Sequence, residues 1–127
     1  MEWHFDDNMP IYTQLVYQIK FAIVSGELSP GERMAGVRDL AADAGVNPNT
    51  MQRALQQLER EGLVFTQRSS GRFITEDTAV IGEAKRTLAR QHIDQFMESM
   101  KKLGYTREEI IALLEGGEEE DKNGSML

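Results

Sequence analysis

Between Pro10 and Ser25 the apolar residues Ile11, Leu15, Ile19 and Ile23, with Tyr12, Val16 and Ala22, recur at three- and four-residue steps. That period predicts an amphipathic helix, with Pro10 suited to its first position and Gly26 to its end. The following LSPGERM reads as a turn, in which Pro30 and Gly31 reverse the chain before a short extended piece near Arg33 and Met34. A second, short helix is predicted over Val37 to Asp43, with Val37, Leu40 and Ala41 turned inward, stopping at Ala44-Gly45.

The third helix opens on Asn47, whose side-chain oxygen can accept from amides of the first turn, followed by Pro48, which has no amide hydrogen to satisfy. Met51, Ala54, Leu55 and Leu58 form its buried stripe, and Gly62 ends it. Two β-prone pieces, LVFT and RFIT, then flank QRSSG, a hairpin in which Gly71 can take positive φ. Helix, turn, helix and hairpin in this order predict a mostly α fold with a small β wing, a winged helix-turn-helix domain over residues 1–76.

Beyond Glu76-Asp77 a run of about 26 residues carries apolar positions at 81, 84, 88, 89, 93, 96, 100 and 103. Helices average about 11 to 12 residues, so this one is long, and its stripe exceeds what a small wing can cover. Gly104 breaks it, and Thr106 with Glu109 forms a capping box for a helix containing Ile110, Ile111, Leu113 and Leu114. Residues 77–116 are therefore read as a two-helix dimerisation extension with Ile81, Leu88, Ile93, Phe96, Met100, Leu103, Ile110 and Leu114 in the dimer core. Packing of the stripe on its own winged domain is the alternative. The acidic tail over 117–127 has no core-forming pattern and is expected to be disordered.

Composition removes several chemistries. Cysteine is absent, and His4 and His92 stand far apart, which speaks against thiol catalysis and a metal centre. No apolar run reaches the roughly 20 residues of a membrane span, and the N-terminus lacks the pattern of a signal peptide. A soluble cytoplasmic protein without cofactor is the expectation. The acidic pairs Asp6-Asp7 and Glu108-Glu109 fall in termini or helix starts, where solvation or capping explains them, and no nucleophile, base and orienting group assemble into an enzyme.

The formal charge of −7 argues against nucleic acid only as a total. Residues 1–75 carry 7 Lys or Arg against 9 Asp or Glu, a net of −2, while residues 76–127 carry 7 against 12, a net of −5. From Asn47 to Thr75 the sign reverses, with Arg53, Arg60, Arg68 and Arg72 against Glu59 and Glu61. In a helix-turn-helix domain the second helix of the motif inserts its N-terminal end into the major groove. Asn49, Thr50, Gln52, Arg53 and Gln56 avoid the buried stripe, so a DNA-facing role accounts for a polar helix start that capping alone does not need. An ordinary solvated helix face is the bland alternative.

Pro10 to Thr75 resembles the DNA-binding domain of the GntR family of bacterial transcriptional regulators. The resemblance rests on PIYTQLVYQIKFAIVSGELSPGERM, VRDLAADAGVNPNTMQRALQQLEREGLV and a wing ending GRFI. It covers about half the chain, and the short C-terminal part resembles the YtrA-type branch, whose members have two dimerising helices in place of a large effector domain.

Position by position, the resemblance implies that Arg38 contacts a base or phosphate from the second helix. It likewise implies contacts from Asn47, Asn49 and Thr50, base reading by Gln52 and Arg53, and a wing tip of Arg68, Ser69, Ser70, Gly71 and Arg72 near the minor groove. For Arg38 an intradomain pair with Asp39, Asp43 or another carboxylate stays open. Two departures stand out: Met34-Ala35-Gly36 replaces the usual Leu-Pro-Ser, losing a capping serine, and Ser69 replaces the first glycine of a Gly-x-Gly wing.

The function implied is a homodimeric regulator, a repressor on an inverted-repeat double-stranded DNA operator, as in a branch that often acts beside transporter operons. A winged-helix module for protein contacts is the competing reading. A small-molecule effector of unknown identity would have to use a pocket lined by residues such as Trp3, Phe96, Tyr105 and the methionines, which are equally suited to a core.

Overall fold

The computed structural model describes the backbone of residues 1–124 and the side chains of residues 1–116, so the tail expected over 117–127 lies outside the fully described residues. The chain divides into two compact units, Met1–Leu88 and Ala89–Leu127. Among the described residues, no helix is long and apolar enough to cross a membrane.

In the first unit, α1 (Ile11–Val24), α2 (Val37–Ala44) and α3 (Pro48–Arg60) are followed by strands β1 (Val64–Gln67) and β2 (Gly71–Ile74). Pro10 stands one place earlier than its sequence suggests, as the extended cap of α1 rather than its first residue. Gly45 (φ 72°) and Gly62 (φ 77°) let the chain leave α2 and α3 by left-handed turns. Leu15, Ile19 and Ile23 of α1 meet Ala41 of α2, Met51, Ala54, Leu55 and Leu58 of α3, and Leu63, Val64 and Ile74 of the wing, with Met34 joining them. Each large side chain so buried contributes about 1.5–3 kcal/mol relative to exposure.

The strands pair antiparallel in the register Val64↔Ile74, Phe65↔Phe73, Thr66↔Arg72 and Gln67↔Gly71. Side chains alternate across this ribbon. Val64, Thr66, Arg72 and Ile74 share the face that looks toward α3, and the stacked rings of Phe65 and Phe73, 5.7 Å apart, occupy the other. The extended piece before α2 pairs with β2 through an Arg33↔Phe73 bridge.

Sequence periodicity is silent on residues 1–9, yet they form a strap over the winged core. Gln14, 8% exposed, accepts from the Asp6 amide (2.7 Å) and donates to the carbonyls of Asp6 (2.7 Å) and Met9 (2.9 Å). Gln18 repeats the pattern on His4, accepting from its amide (3.1 Å) and donating to its carbonyl (2.6 Å). Trp3 stacks on Phe5, and both pack against the core.

Helix α4 (Thr78–Lys102) starts on Asp77, whose carboxylate accepts from the amides of Ala79 (3.0 Å) and Val80 (3.3 Å). Its first turns belong to the winged core, since Val80, Ile81 and Ala84 pack there. In the second unit the chain leaves α4 through Gly104 (φ 99°). The Tyr105 amide donates to Met100 O (3.2 Å) and the Gly104 amide to Lys101 O (2.9 Å), the bond pair of a Schellman turn. Helix α5 (Arg107–Gly124) then opens on the expected box, Thr106 Oγ1 accepting from the Glu109 amide (3.2 Å) and Glu109 Oε1 from the Thr106 amide (2.9 Å).

Candidate nucleic-acid interface

The start of α3 is built by its cap. Asn47 Oδ1 accepts from the Asn49 amide at 2.7 Å, and Pro48 follows at the first helical position. This fixes Asn47, Asn49 and Arg53 as exposed side chains, with Thr50 and Gln52 half-buried beside them, while Met51, Ala54 and Leu55 are buried. Arg53 is oriented by a neighbour the sequence reading placed only in the core pattern of α1. Its guanidinium lies 4.7 Å from the centroid of the Tyr12 ring, a contact that contributes about 0.5–1 kcal/mol at an exposed site. Tyr12 in turn reaches Gln57 Oε1 at 3.4 Å.

Arg38, one residue inside α2, is exposed, and neither Asp39 nor Asp43 lies within ion-pair distance of it among the described residues. Asp43 instead accepts from Trp3 Nε1 at 2.8 Å, which ties the strap to α2. Trp3, suggested above for an effector pocket with Phe96 and Tyr105, is thus part of the strap. Gly36 caps α2 without any side-chain hydrogen bond, since glycine has no side chain to accept one where the resemblance implies a serine.

The hairpin tip exposes Arg68, Ser69 and Ser70. The Ser70 amide donates to Gln67 O at 3.0 Å, closing a turn whose third residue, Ser69, holds φ 62°. That position favours glycine, the residue that the resemblance implies for it. Gly71 takes φ 108°, as expected.

Arg72 does not join this tip. Its Nε lies 2.8 Å from Glu59 Oε1, half-buried between the wing and α3, and Thr66 donates to the same oxygen. The alternation of the strand is the reason, since Arg72 shares the face of buried Ile74. Burial pushes the Glu59 carboxyl up, but the hydrogen bonds from Thr66 and Arg72 and the Arg72 charge outweigh it, and the net shift is downward. Glu61 is likewise held below its ordinary range against its burial, by hydrogen bonds from Lys20 and Gln57 and the charges of Lys20 and Arg60, with Lys20 Nζ 2.6 Å away. Both carboxylates of the Asn47 to Thr75 stretch are thereby tied to cations, which leaves Arg33, Arg38, Arg53 and Arg68 among the exposed cations that set the local potential. Arg60 bonds Gln57 of its own helix.

The residues expected in a dimer core divide in two. Ile81 packs on the winged core, while Leu88 (5% exposed) and Ile110 (1%) are already covered within a single chain. Ile93, Phe96, Leu103 and Leu114 remain exposed, at 49, 42, 72 and 70%, and Met100 is half-buried.

Comparison with known proteins bears on this arrangement. The family profile "Bacterial regulatory proteins, gntR family" matches residues 11–74. The HTH-type transcriptional regulator YhcF of Bacillus subtilis (strain 168) is 40% identical over 111 residues, 87% of this chain and 92% of that protein. The HTH-type transcriptional repressor YtrA of the same organism is 33% identical over 122 residues, 90% of this chain and 94% of its own. Among solved structures, a GntR family transcriptional regulator from Listeria monocytogenes superposes with a TM-score of 0.80 at 40% identity, covering 87% of this chain and 97% of that one.

Proposed function

From the premise that this chain belongs to the GntR family of bacterial regulatory proteins and is a DNA-binding transcriptional regulator of that type, we propose that it is a homodimeric repressor acting in the cytoplasm on an inverted-repeat operator. The observation that carries this reading is the capped start of α3, which holds Asn49, Gln52 and Arg53 outside the buried stripe while the nearby acids are paired. In it, Arg53 and Gln52 read base edges in the major groove, Arg38, Asn47, Asn49 and Thr50 position the helix on the backbone, and the tip around Arg68 approaches the minor groove.

One recognition helix reads only a few base pairs, so a two-fold dimer would place two of them on half-sites about 34–36 Å apart or a multiple. The exposed Ile93, Phe96, Leu103 and Leu114 support dimerisation, because apolar side chains recurring along paired helices gain by burial against a partner surface. A relative named as a repressor supports repression, and control of a transporter operon is the regulatory setting we expect.

The test is a mobility shift on DNA upstream of its own operon at about 150 mM salt against random competitor. A shifted band that specific DNA competes and random DNA does not is expected. Arg53→Ala should weaken that complex by about 1–3 kcal/mol while leaving binding to random DNA nearly unchanged. Equal loss on both DNAs would assign Arg53 to phosphate, and absence of any specific band at micromolar protein would overturn the operator reading.

A further inference from the structure

The piece between Gly31 and Met34 acts as a third strand of the wing. The Gly31 amide donates to Ile74 O (2.9 Å), the Ile74 amide to Glu32 O (2.8 Å) and the Met34 amide to Arg72 O (2.8 Å). The pairing of Arg33 with Phe73 sends the Arg33 side chain along the ribbon toward its tip, where Nε donates to Ser70 O at 2.8 Å. Gly71 makes room for it: a Cβ there would lie 3.2 Å from Nε and 3.4 Å from Nη2. The other tip bonds are local, from the Ser70 amide to Gln67 O and from Ser69 Oγ to Arg68 O. The Arg33 bond is therefore the tie between the exposed tip and the rest of the domain among the described residues.

We propose that Arg33, rather than Arg72, is the second cation of the wing: it positions the tip through Nε and presents its Nη groups to a DNA phosphate. A guanidinium is suited to both tasks at once, because its five N–H donors lie in one rigid plane and its charge is permanent. With Nε committed to Ser70, the outer N–H groups are those left to meet an anion, and no carboxylate of the described residues stands within ion-pair distance of them. Arg72, turned to the opposite face, neutralises Glu59 instead. This assignment rests on the DNA-binding reading and adds to it a residue outside both the recognition helix and the tip sequence.

The experiment uses a duplex selected by the full-length wild-type protein from a random pool, with affinity measured across a salt series. Each phosphate contact contributes about 0.9 to the slope of log affinity against log salt. Arg33→Gln is expected to lower the slope by about that much per wing and to weaken binding about tenfold at 150 mM salt. Arg33→Lys should keep the slope, since its charge remains, yet still bind several-fold more weakly because an ammonium cannot hold Ser70 and reach outward together. The double change Glu59→Gln, Arg72→Gln should leave the slope unchanged. A wild-type slope in Arg33→Gln, or an equal loss of slope in the double variant, would overturn the assignment. If Arg33→Gln fails to fold by circular dichroism, an Arg33→Lys protein indistinguishable from wild type in affinity would overturn it as well. A wild-type protein that selects no sequence and binds without salt dependence would sink the DNA-binding reading and this inference with it, whereas a bound, salt-sensitive wild type with an unaffected Arg33→Gln sinks the inference alone.

Discussion

The unit ending at Leu88 and the one beginning at Ala89 spend their apolar residues differently. In the first, Leu15, Ile19, Met51, Leu55, Leu58 and Ile74 are completely buried within a single chain. In the second, Ile110 is covered, but Ile93, Phe96, Leu103 and Leu114 stand 42–72% exposed. Both carry helical apolar stripes of similar spacing. Period therefore reports which side of a helix is apolar and says nothing about whose surface covers it. The winged unit closes its core within one chain, whereas in the homodimer proposed above the extension would complete its burial against another copy.

The sharpest way to break that contrast is Leu55→Ala, which removes a fully buried side chain from the winged core and should cost about 2–5 kcal/mol. Urea unfolding followed by circular dichroism checks it, and a loss under about 1 kcal/mol would mean the core is not shared as described. Next, Phe96→Glu with Leu103→Glu should convert a dimer to a monomer in light scattering at micromolar concentration, raising the dimer dissociation constant at least 100-fold while Trp3 fluorescence stays native. A wild type that is monomeric at the outset would remove the premise of a second copy.

Acid sharpens the comparison at a smaller scale. Glu59 and Glu61 titrate below their ordinary value of 4.5 in the folded chain, so their pairs contribute stability that is full above that value and lost as pH falls through the depressed one. As pH falls from about 6 to about 3.5 wild type should lose more stability than Glu59→Gln, as followed by urea unfolding at each pH, and equal losses would contradict the role of the Arg72 pair. The Lys102–Glu98 pair of the second unit is 77% and 70% exposed, and Glu98→Gln should change stability at neutral pH by less than about 0.5 kcal/mol. Smallest of all, Ser69→Gly relieves a left-handed residue that costs about 1–2 kcal/mol at a glycine entropy cost of about 0.5–1. A rise in stability of less than about 1 kcal/mol is expected by thermal melting, and a fall would show that Ser69 makes a contact that offsets its strain.

What could be read from residue order was local. The caps at Asn47 and at Thr106 with Glu109, the stripes of α1 and α3, and the hairpin with Gly71 all depend on neighbours within a turn or two, and the structure has them in place. The long-range pairs left no periodic trace: Trp3 with Asp43, Gln14 and Gln18 with the strap, Tyr12 under Arg53, and Arg33 at Ser70. Arg72 is different, because strand alternation places it on the face of Ile74 and so away from the tip. Weighing that period against the family's wing would have separated Arg72 from Arg68.

The two glutamines of α1 also have a consequence in time. The amide hydrogens of His4 and Asp6 can trade with deuterium only when Gln18 or Gln14 releases them, although both belong to a terminal stretch without helix or strand. Their exchange rates would clock how often the strap lifts from the domain beneath it.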